Sequence, residues 1–275
     1  MEDYEKRGYL LENFRLFHLR TTAQEPVDYH YHEFCKLLLL LTGAGHYVVD
    51  GRRYRLQPGD AVLVGSRSVH RPELEDGSPY ERIIIYIDPD FLRRESDESC
   101  DLEALFSGRQ GHVLRLREPA RKKLFSLAAE LEKELSGTDY GRTVLSNAAL
   151  LRLLAQTGRC LQQGEFQAPD PVSSGNSRIL ELVGYIDDHL AEDLDIDALA
   201  EQFYISKYHM MRLFRRETGY TIHAYLSHRR LLHARNLIAS GMRATEACYR
   251  SGFRSYSSFT RSYNKHFGTT PTGRT

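Results

Sequence analysis

The sequence predicts an α+β chain of two domains, a β-barrel-type N-terminal region followed by helices, then an all-α C-terminal region. Three observations carry this expectation. Strand-length apolar runs separated by turn residues fill residues 10–87, and helical periodicity takes over at Pro119. A stretch with the Pro, Gly and Ser content of a linker, residues 164–176, then precedes a wholly helical remainder. A chain of 275 residues suits two domains better than one.

In the first region, Leu37, Leu38, Leu39, Leu40 and Leu41 form a run of strand length. Asp50-Gly51 lies between Tyr47-Val48-Val49 and Tyr54-Arg55-Leu56, the signal of a tight hairpin. Gln57-Pro58-Gly59-Asp60 opens a second turn before a strand over residues 61–64, and residues 83–87 supply another. Beyond Pro119, which suits a first helical turn, Leu124, Leu127, Ala128, Leu131 and Leu135 keep one apolar stripe. Residues 144–161 are apolar on more than one face, through Val144, Leu145, Ala148, Ala149, Leu150, Leu151, Leu153 and Leu154. Such a helix must bury two faces. It does so either against its partner helix and a second subunit, or with that partner on its own sheet.

The C-terminal region repeats one arrangement. Ile179, Leu182, Val183, Ile186 and Leu190 mark a first helix, and Ile196, Leu199, Ala200 and Phe203 a shorter second. Ser206 is placed to cap a third, anchored by Met210, Leu213 and Phe214, with Tyr208, Met211 and Arg212 projecting together from its outer face. Residues 221–240, with Leu231, Ala234 and Ile238, form a helical spacer that Gly241 ends. A short helix then presents Ala244, Ala247 and Cys248 inward and stops at Gly252-Phe253. The helix from Ser255 is anchored by Phe259 and Tyr263, and Tyr256, Ser257, Thr260 and Arg261 lie on its outward face. Two helix-turn-helix units in one small domain are therefore expected.

Electrostatics divide the chain at the same place. Lys+Arg and Asp+Glu each number 37, yet residues 202–275 hold 13 of the former against 2 of the latter, a net of +11. Residues 1–201 correspondingly carry −11. A basic segment on an acidic chain expects a polyanionic partner, against the plainer reading of a solvated face. No apolar run reaches the length of a membrane span, and Met1 to Lys6 are acidic where a signal peptide would be basic. Cys35, Cys100, Cys160 and Cys248 are scattered without a CxxC pair, against a zinc ribbon or a disulfide framework. A cytoplasmic location follows as the expectation.

The C-terminal pattern resembles the AraC/XylS family of transcription regulators. The resemblance rests on Leu199-Ala200 with Ser206, Met210-Met211-Arg212-Leu213-Phe214-Arg215, Glu217-Thr218-Gly219, Tyr225-Leu226, Arg230-Leu231 with Ala234, and Gly252-Phe253. It continues through Ser257-Ser258-Phe259-Thr260-Arg261-Ser262-Tyr263-Asn264-Lys265-His266-Phe267-Gly268 to Pro271. This implies base contacts from Tyr208, Met211 and Arg212 in one major groove and from Tyr256, Ser257, Thr260 and Arg261 in the next. Ser206, Lys207, Ser255 and Lys265 would contact phosphate. Arg212 and Arg261 suit guanine, whose O6 and N7 a guanidinium pairs with together; the alternative for each is a phosphate contact. Ala244 and Ala247 stand where the family usually has Ile, Tyr263 where it has Phe, and Gly273-Arg274 lacks the Tyr expected before Arg. The second unit is accordingly expected to pack less firmly than the first.

The family commonly joins this domain to a cupin-like β-barrel, and residues 8–90 resemble one in His30-Tyr31-His32, Gly43, Gly45, Pro58-Gly59-Asp60 and His70. On one strand His30, His32, Phe34 and Lys36 would share a face and, with His70, line an effector pocket. In cupin enzymes the paired histidines, a Glu and a distant His hold a divalent metal. Lys36 stands in place of that Glu, so His30, His32 and His70 are the remaining candidate ligands, and no cofactor is firmly implied. Three readings of the histidines stay open: an effector pocket, a bound divalent metal, or unliganded side chains.

The expected division is a cupin-like sensor over residues 1–117, dimerisation helices over 118–163, a linker over 164–176 and the DNA-binding domain over 177–275. The expected function is a sequence-specific, non-enzymatic DNA-binding regulator, controlled by a small effector such as a sugar or sugar acid. The alternative is a metal-dependent cupin enzyme or metal sensor fused to a DNA-binding domain, against which Lys36, Gly65 and Arg67 count. Double-stranded DNA, the effector, a second copy of the chain and RNA polymerase are the expected partners; a membrane is not.

Overall fold

The computed structural model describes residues 5–6, 10–22, 27–75, 79–108, 112–169, 172 and 177–272. The acidic start at Met1 to Tyr4, the linker residues Asp170, Pro171 and 173–176, and Gly273-Arg274 lie outside them. Two compact units divide the chain: Tyr4–Val49 with Arg53–Val172, and Met1–Asp3 and Asp50–Arg52 with Ser173–Thr275.

The first unit is built from β1 (Glu5–Lys6), β2 (Phe14–Thr21), β3 (His30–Tyr31), β4 (Cys35–Thr42), β5 (Gly45–Val49), β6 (Arg52–Leu56), β7 (Asp60–Val64), β8 (His70–Leu74) and β9 (Tyr80–Ile87). There follow α1 (Pro89–Arg94), β10 (Val113–Leu116), α2 (Ala120–Ser136), α3 (Arg142–Gln163) and β11 (Phe166–Gln167). The strands make two sheets, ordered β1-β3-β8-β5-β6 and β11-β10-β7-β4-β9-β2. This corrects the expectation of a closed barrel. The chain crosses repeatedly from one sheet to the other at bends, and the two stack face to face across a shared apolar layer. At one crossing, Gly43 takes φ +105°, and a Cβ there would stand 2.8 Å from the Pro79 carbonyl oxygen.

β4 is the centre of this unit. Its odd-numbered residues Cys35, Leu37 and Leu39 join Ile83, Ile85, Leu124, Leu127, Ala128, Leu150, Leu153 and Leu154 in one core. Its even-numbered Leu38 and Leu40 join Tyr47, Val49, Tyr54, Val62 and Ile84 in the other. An uninterrupted leucine run is what a strand covered on both faces requires. The helices α2 and α3 thus pack on the six-stranded sheet, as one of the two alternatives had it. Yet the start of α3 and the preceding loop leave Tyr140, Val144 and Leu145 exposed.

The hairpin at Asp50-Gly51 has φ of 45° and 78°, both positive, as its tight turn demands. Asp60 is fully buried, accepts from the Gln57 amide at 2.8 Å and receives both Nε and Nη2 of Arg115 at 3.1 Å. It ties the turn before β7 to β10.

The second unit comprises α4 (Ser177–Asp188), α5 (Ile196–Gln202), α6 (Lys207–Thr218), α7 (Ile222–Ala239), α8 (Ala244–Arg250) and α9 (Tyr256–Phe267). Asp195 caps α5 through the Ala198 amide and Thr221 caps α7 through the Ala224 amide. Between α5 and α6, Tyr204 occupies the left-handed region at φ 53°; at the matching turn before α9, Gly252 does so at 84°. A Cβ on Gly252 would stand 2.5 Å from the Leu190 carbonyl oxygen, so only glycine fits there. The expectation of looser packing under α9 is not met. Ala247, Cys248 and Phe259 have no exposed surface, and Phe253, Tyr256, Phe267 and Ile238 close around Phe259 and Tyr263. Aromatic rings from α9 fill the volume that larger residues on α8 would take.

Asp60→Ala removes a buried carboxylate with three donors, and its cost is expected at about 3 kcal/mol of unfolding free energy. Urea denaturation of the full chain checks this.

Candidate nucleic-acid interface and effector pocket

On α6, Met210 and Phe214 are fully buried and Leu213 nearly so, which turns the opposite face outward. Tyr208 is 86% exposed and Met211 41%, and Arg212 is exposed beside them. Arg212 Nη2 lies 3.3 Å from His209 Nδ1, and Lys207 Nζ donates to Asp197 at 2.9 Å. Ser206 sits at the N-cap without a side-chain hydrogen bond to the helix, leaving its hydroxyl available.

On α9 the expected residues divide. Ser257 and Arg261 are exposed, and so are Ser255 and Lys265. Tyr256 is half-buried, its ring 5.9 Å from that of Phe259, and the Thr260 hydroxyl is buried without a partner among the described residues. Ser255 spends its hydroxyl on the Ser258 amide at 3.4 Å. The side chains that α9 offers most freely are therefore Ser257 and Arg261.

In the first unit, a cavity of about 280 Å³ has Val27, Leu38, Pro72 and Ile84 as apolar walls and His30, Lys36, Tyr47, Tyr80 and Arg82 as polar ones. Of the five residues expected to line a pocket, His30 and Lys36 do so. The single strand over residues 30–36 does not exist, because the chain bends at residues 32–34 between β3 in one sheet and β4 in the other. His32, Phe34 and His70 pack beside His30 instead: the His32 and Phe34 rings stack at 4.0 Å, and His70 lies 4.4 Å from His30 and 4.6 Å from His32. Parity explains the residues that were missed. Lys36 shares the inward face of β4 with Leu38, and Tyr80, Arg82 and Ile84 alternate on β9 beside it. The strand expected over residues 83–87 begins at Tyr80, so its inward pair Tyr80 and Arg82 fell outside it.

The electrostatics of the cavity are unusual. Lys36 is buried, and its Nζ donates to Tyr47 Oη at 2.7 Å. Burial, helped by the Arg82 charge, lowers its pKa to about 7. Burial and then the charge of Lys36 hold His32 and His70 well below the usual imidazole range. Tyr80 is pushed up to about 12 by burial, and its Oη is buried without a partner among the described residues.

A divalent metal does not fit this donor set. Nδ1 of His30, His32 and His70 lies 2.9, 2.7 and 3.0 Å from the carbonyls of Asp28, Phe34 and Ser68, which leaves each Nε2 as the candidate ligand atom. Among the described residues, however, no group of three or more His, Cys, Asp and Glu stands placed to hold a metal ion. Lys36 adds positive charge where a carboxylate would be needed.

Two helix-turn-helix units carrying polar outer faces, in one chain with a two-sheet domain that holds a pocket lined by basic and phenolic side chains, define a DNA-binding transcription regulator with a ligand-binding domain. Comparison with known proteins gives the same class. The AraC-like ligand binding domain family matches residues 14–202, and the helix-turn-helix domain family matches residues 199–273. The chain belongs to the AraC family of transcription regulators. The HTH-type transcriptional activator RhaS of Escherichia coli (strain K12 / DH10B) is 25% identical over 243 residues, 88% of this chain and 85% of its own. RhaS of Shigella sonnei (strain Ss046) shows the same identity and coverage. Among solved structures, the DNA-binding domain of AdpA in complex with a target DNA is 30% identical over 34% of this chain and 86% of its own, with a TM-score of 0.34. ToxT from Vibrio cholerae is 11% identical over 94% of this chain and 97% of its own, with a TM-score of 0.38. No helix among the described residues is long and apolar enough to cross a membrane.

Lys36 makes a pH test available. Its pKa is near 7 folded and near 10.5 unfolded, so between these values the unfolded chain binds the extra proton and stability rises with pH. Lys36→Met is expected to abolish that rise, which amounts to at most about 1.4 kcal/mol per pH unit. Urea unfolding of both proteins across this alkaline range reads the difference in slope.

Proposed function

We propose that this regulator reads DNA through α6 and α9 together and that a small effector in the Lys36 cavity controls how a dimer presents them. The observation that carries the reading is the buried Lys36, without a carboxylate partner among the described residues, in a cavity walled by Val27, Leu38, Pro72 and Ile84 on its other sides, a costly arrangement that a bound polar ligand would relieve. Binding to one arrangement of the dimer more tightly than to another shifts the population between them. A sugar or sugar acid belongs to the ligands of this size and polarity.

Within this reading, Tyr208, Met211, Arg212, Ser257 and Arg261 reach base edges, with Tyr256 and Thr260 nearer the packed side of α9. Ser206, Lys207, Ser255 and Lys265 hold phosphates, Lys207 exchanging Asp197 for DNA. The division is a sensor over residues 1–117, helices for self-association over 118–163, a linker over 164–176 whose start, Phe166–Gln167, adds β11 to the sheet beside β10, and the DNA-binding domain over 177–275. The exposed Tyr140, Val144 and Leu145 favour a second copy as partner for α3. Four free cysteines suit a reducing cytoplasm, and RNA polymerase is the natural further partner of a regulator bound beside a promoter. Relatives named as transcriptional activators favour a sensor over an enzyme.

The test begins by selecting a binding site from random duplexes. Arg212→Ala and Arg261→Ala should each cost about 1–3 kcal/mol on the selected site and little on unrelated DNA, whereas Lys207→Ala should weaken both alike and lower the salt slope. Equal weakening by the arginine variants on all sequences would assign them to phosphate. Footprinting should protect two major grooves about one helical turn, roughly 34 Å, apart for each protomer. For the dimer, Val144→Asp with Leu145→Asp should shift sedimentation toward monomer; an unchanged dimer would locate the interface elsewhere.

A further inference from the structure

The cavity between the two sheets holds two basic side chains, Lys36 and Arg82, that no carboxylate among the described residues faces. Elsewhere in this unit buried charge is paired: Asp60 with Arg115 at 3.1 Å, and Glu103 with Arg93 at 3.1 Å. Lys36 and Arg82 differ. Each is 7% exposed, and neither has a carboxylate partner among the described residues. Lys36 meets only the neutral Tyr47 hydroxyl. Arg82 donates from Nη1 to Thr21 Oγ1 at 2.9 Å and to the Tyr80 carbonyl at 3.2 Å, and its guanidinium lies 4.4 Å from the Tyr80 ring centre. Tyr80, whose hydroxyl is buried without a partner among the described residues, also lines this cavity.

With Lys36 protonated, as a bound anion would hold it, two cations and a phenol are all donors, and the cations accept nothing. A neutral sugar needs acceptors as well as donors on several sides; Val27, Leu38, Pro72 and Ile84 offer it none from their side chains, and of the remaining acceptors in the wall Tyr47 Oη already takes the Lys36 Nζ proton, which leaves His30 and the Tyr80 oxygen on one side. A phosphate dianion would lose a larger hydration shell against the same walls than a carboxylate does. Resting on the reading of this cavity as an effector site, we infer that its ligand is a small organic carboxylate. The carboxylate oxygens lie among Lys36, Arg82 and Tyr80, and an apolar body faces Leu38 and Ile84. The charge pair is completed only when the ligand arrives, so the free protein carries a desolvation cost that binding removes. A cavity of about 280 Å³ limits that body to a small ring or a short branched chain.

The probes are benzoate and 4-methylpentanoate, their neutral amides, glucuronate and glucose, titrated calorimetrically into the full chain and then assayed for their effect on affinity for the selected duplex. One of the two apolar carboxylates is expected to bind at least about tenfold more tightly than its amide, reflecting a charge-assisted contact. Lys36→Met and Arg82→Gln should each weaken it by about 30-fold or more, and Tyr80→Phe by about fivefold. The two charge variants act on different strands, so failure of one to fold leaves the other to decide. Preference for an amide or for glucose, or indifference of carboxylate binding to both charge variants, overturns the carboxylate while leaving an effector site in place if DNA affinity still responds. Tighter binding of glucuronate than of either probe overturns the apolar body. If none of the six binds and none changes DNA affinity, the effector reading falls with it.

Discussion

Everything in the N-terminal unit depends on β4 being covered on both faces. Leu37, Leu38, Leu39 and Leu40 are each at most 1% exposed, and each contributes about 1.5–3 kcal/mol of transfer free energy. Because a strand alternates, the odd residues hold the helices and the even residues hold the second sheet. The same parity carries Lys36 inward at the end of the leucine run. A strand buried on both faces therefore also delivers a buried basic side chain, and the packed core around it fixes the position of that amine. This is the usual arrangement of a binding site: costly groups are held by surroundings that leave them nowhere else to go.

The helical unit solves a different problem, which is to present two similar helices from a body of about a hundred residues. Burying Met210, Leu213 and Phe214 on α6, and Phe259 and Tyr263 on α9, orients both helices through the i, i+3 and i+4 rows that their sequences define. The two units differ in how they fill space. On α8 the inward positions are Ala247 and Cys248, and a cluster of aromatic rings from α9 and the turn before it compensates. Small residues facing large ones pack as densely as medium residues facing each other, so a departure from a family's usual residue type need not loosen the fold.

The two outer faces are not equal in chemistry. α6 leaves Tyr208, Met211 and Arg212 exposed, whereas α9 turns Tyr256 and Thr260 partly into its own core and leaves Ser257 and Arg261 outward. An inequality expected from Ala244 and Ala247 is thus present for another reason, in side-chain exposure and not in packing. Tyr256 stands where α6 has Lys207, one turn before the buried anchor, and its ring lies 5.9 Å from that of Phe259.

The sequence by itself determined the two-domain division, the strand and helix periods, both helix-turn-helix units and the family. These rest on local patterns: alternation, the 3.6-residue stripe, glycine and capping residues at turns, and charge segregated along the chain. What only the tertiary structure decided was which strands share a sheet, that the sheets stack without closing, and which side chains meet in the cavity. His30, Lys36, Tyr47, Tyr80 and Arg82 come from four strands in two sheets, and no spacing along the chain records that meeting. The break at residues 32–34 illustrates the point. An unbroken alternation through it would have brought His32 and Phe34 into the cavity with Lys36; the change of sheet leaves them outside it, while Arg82 enters from β9.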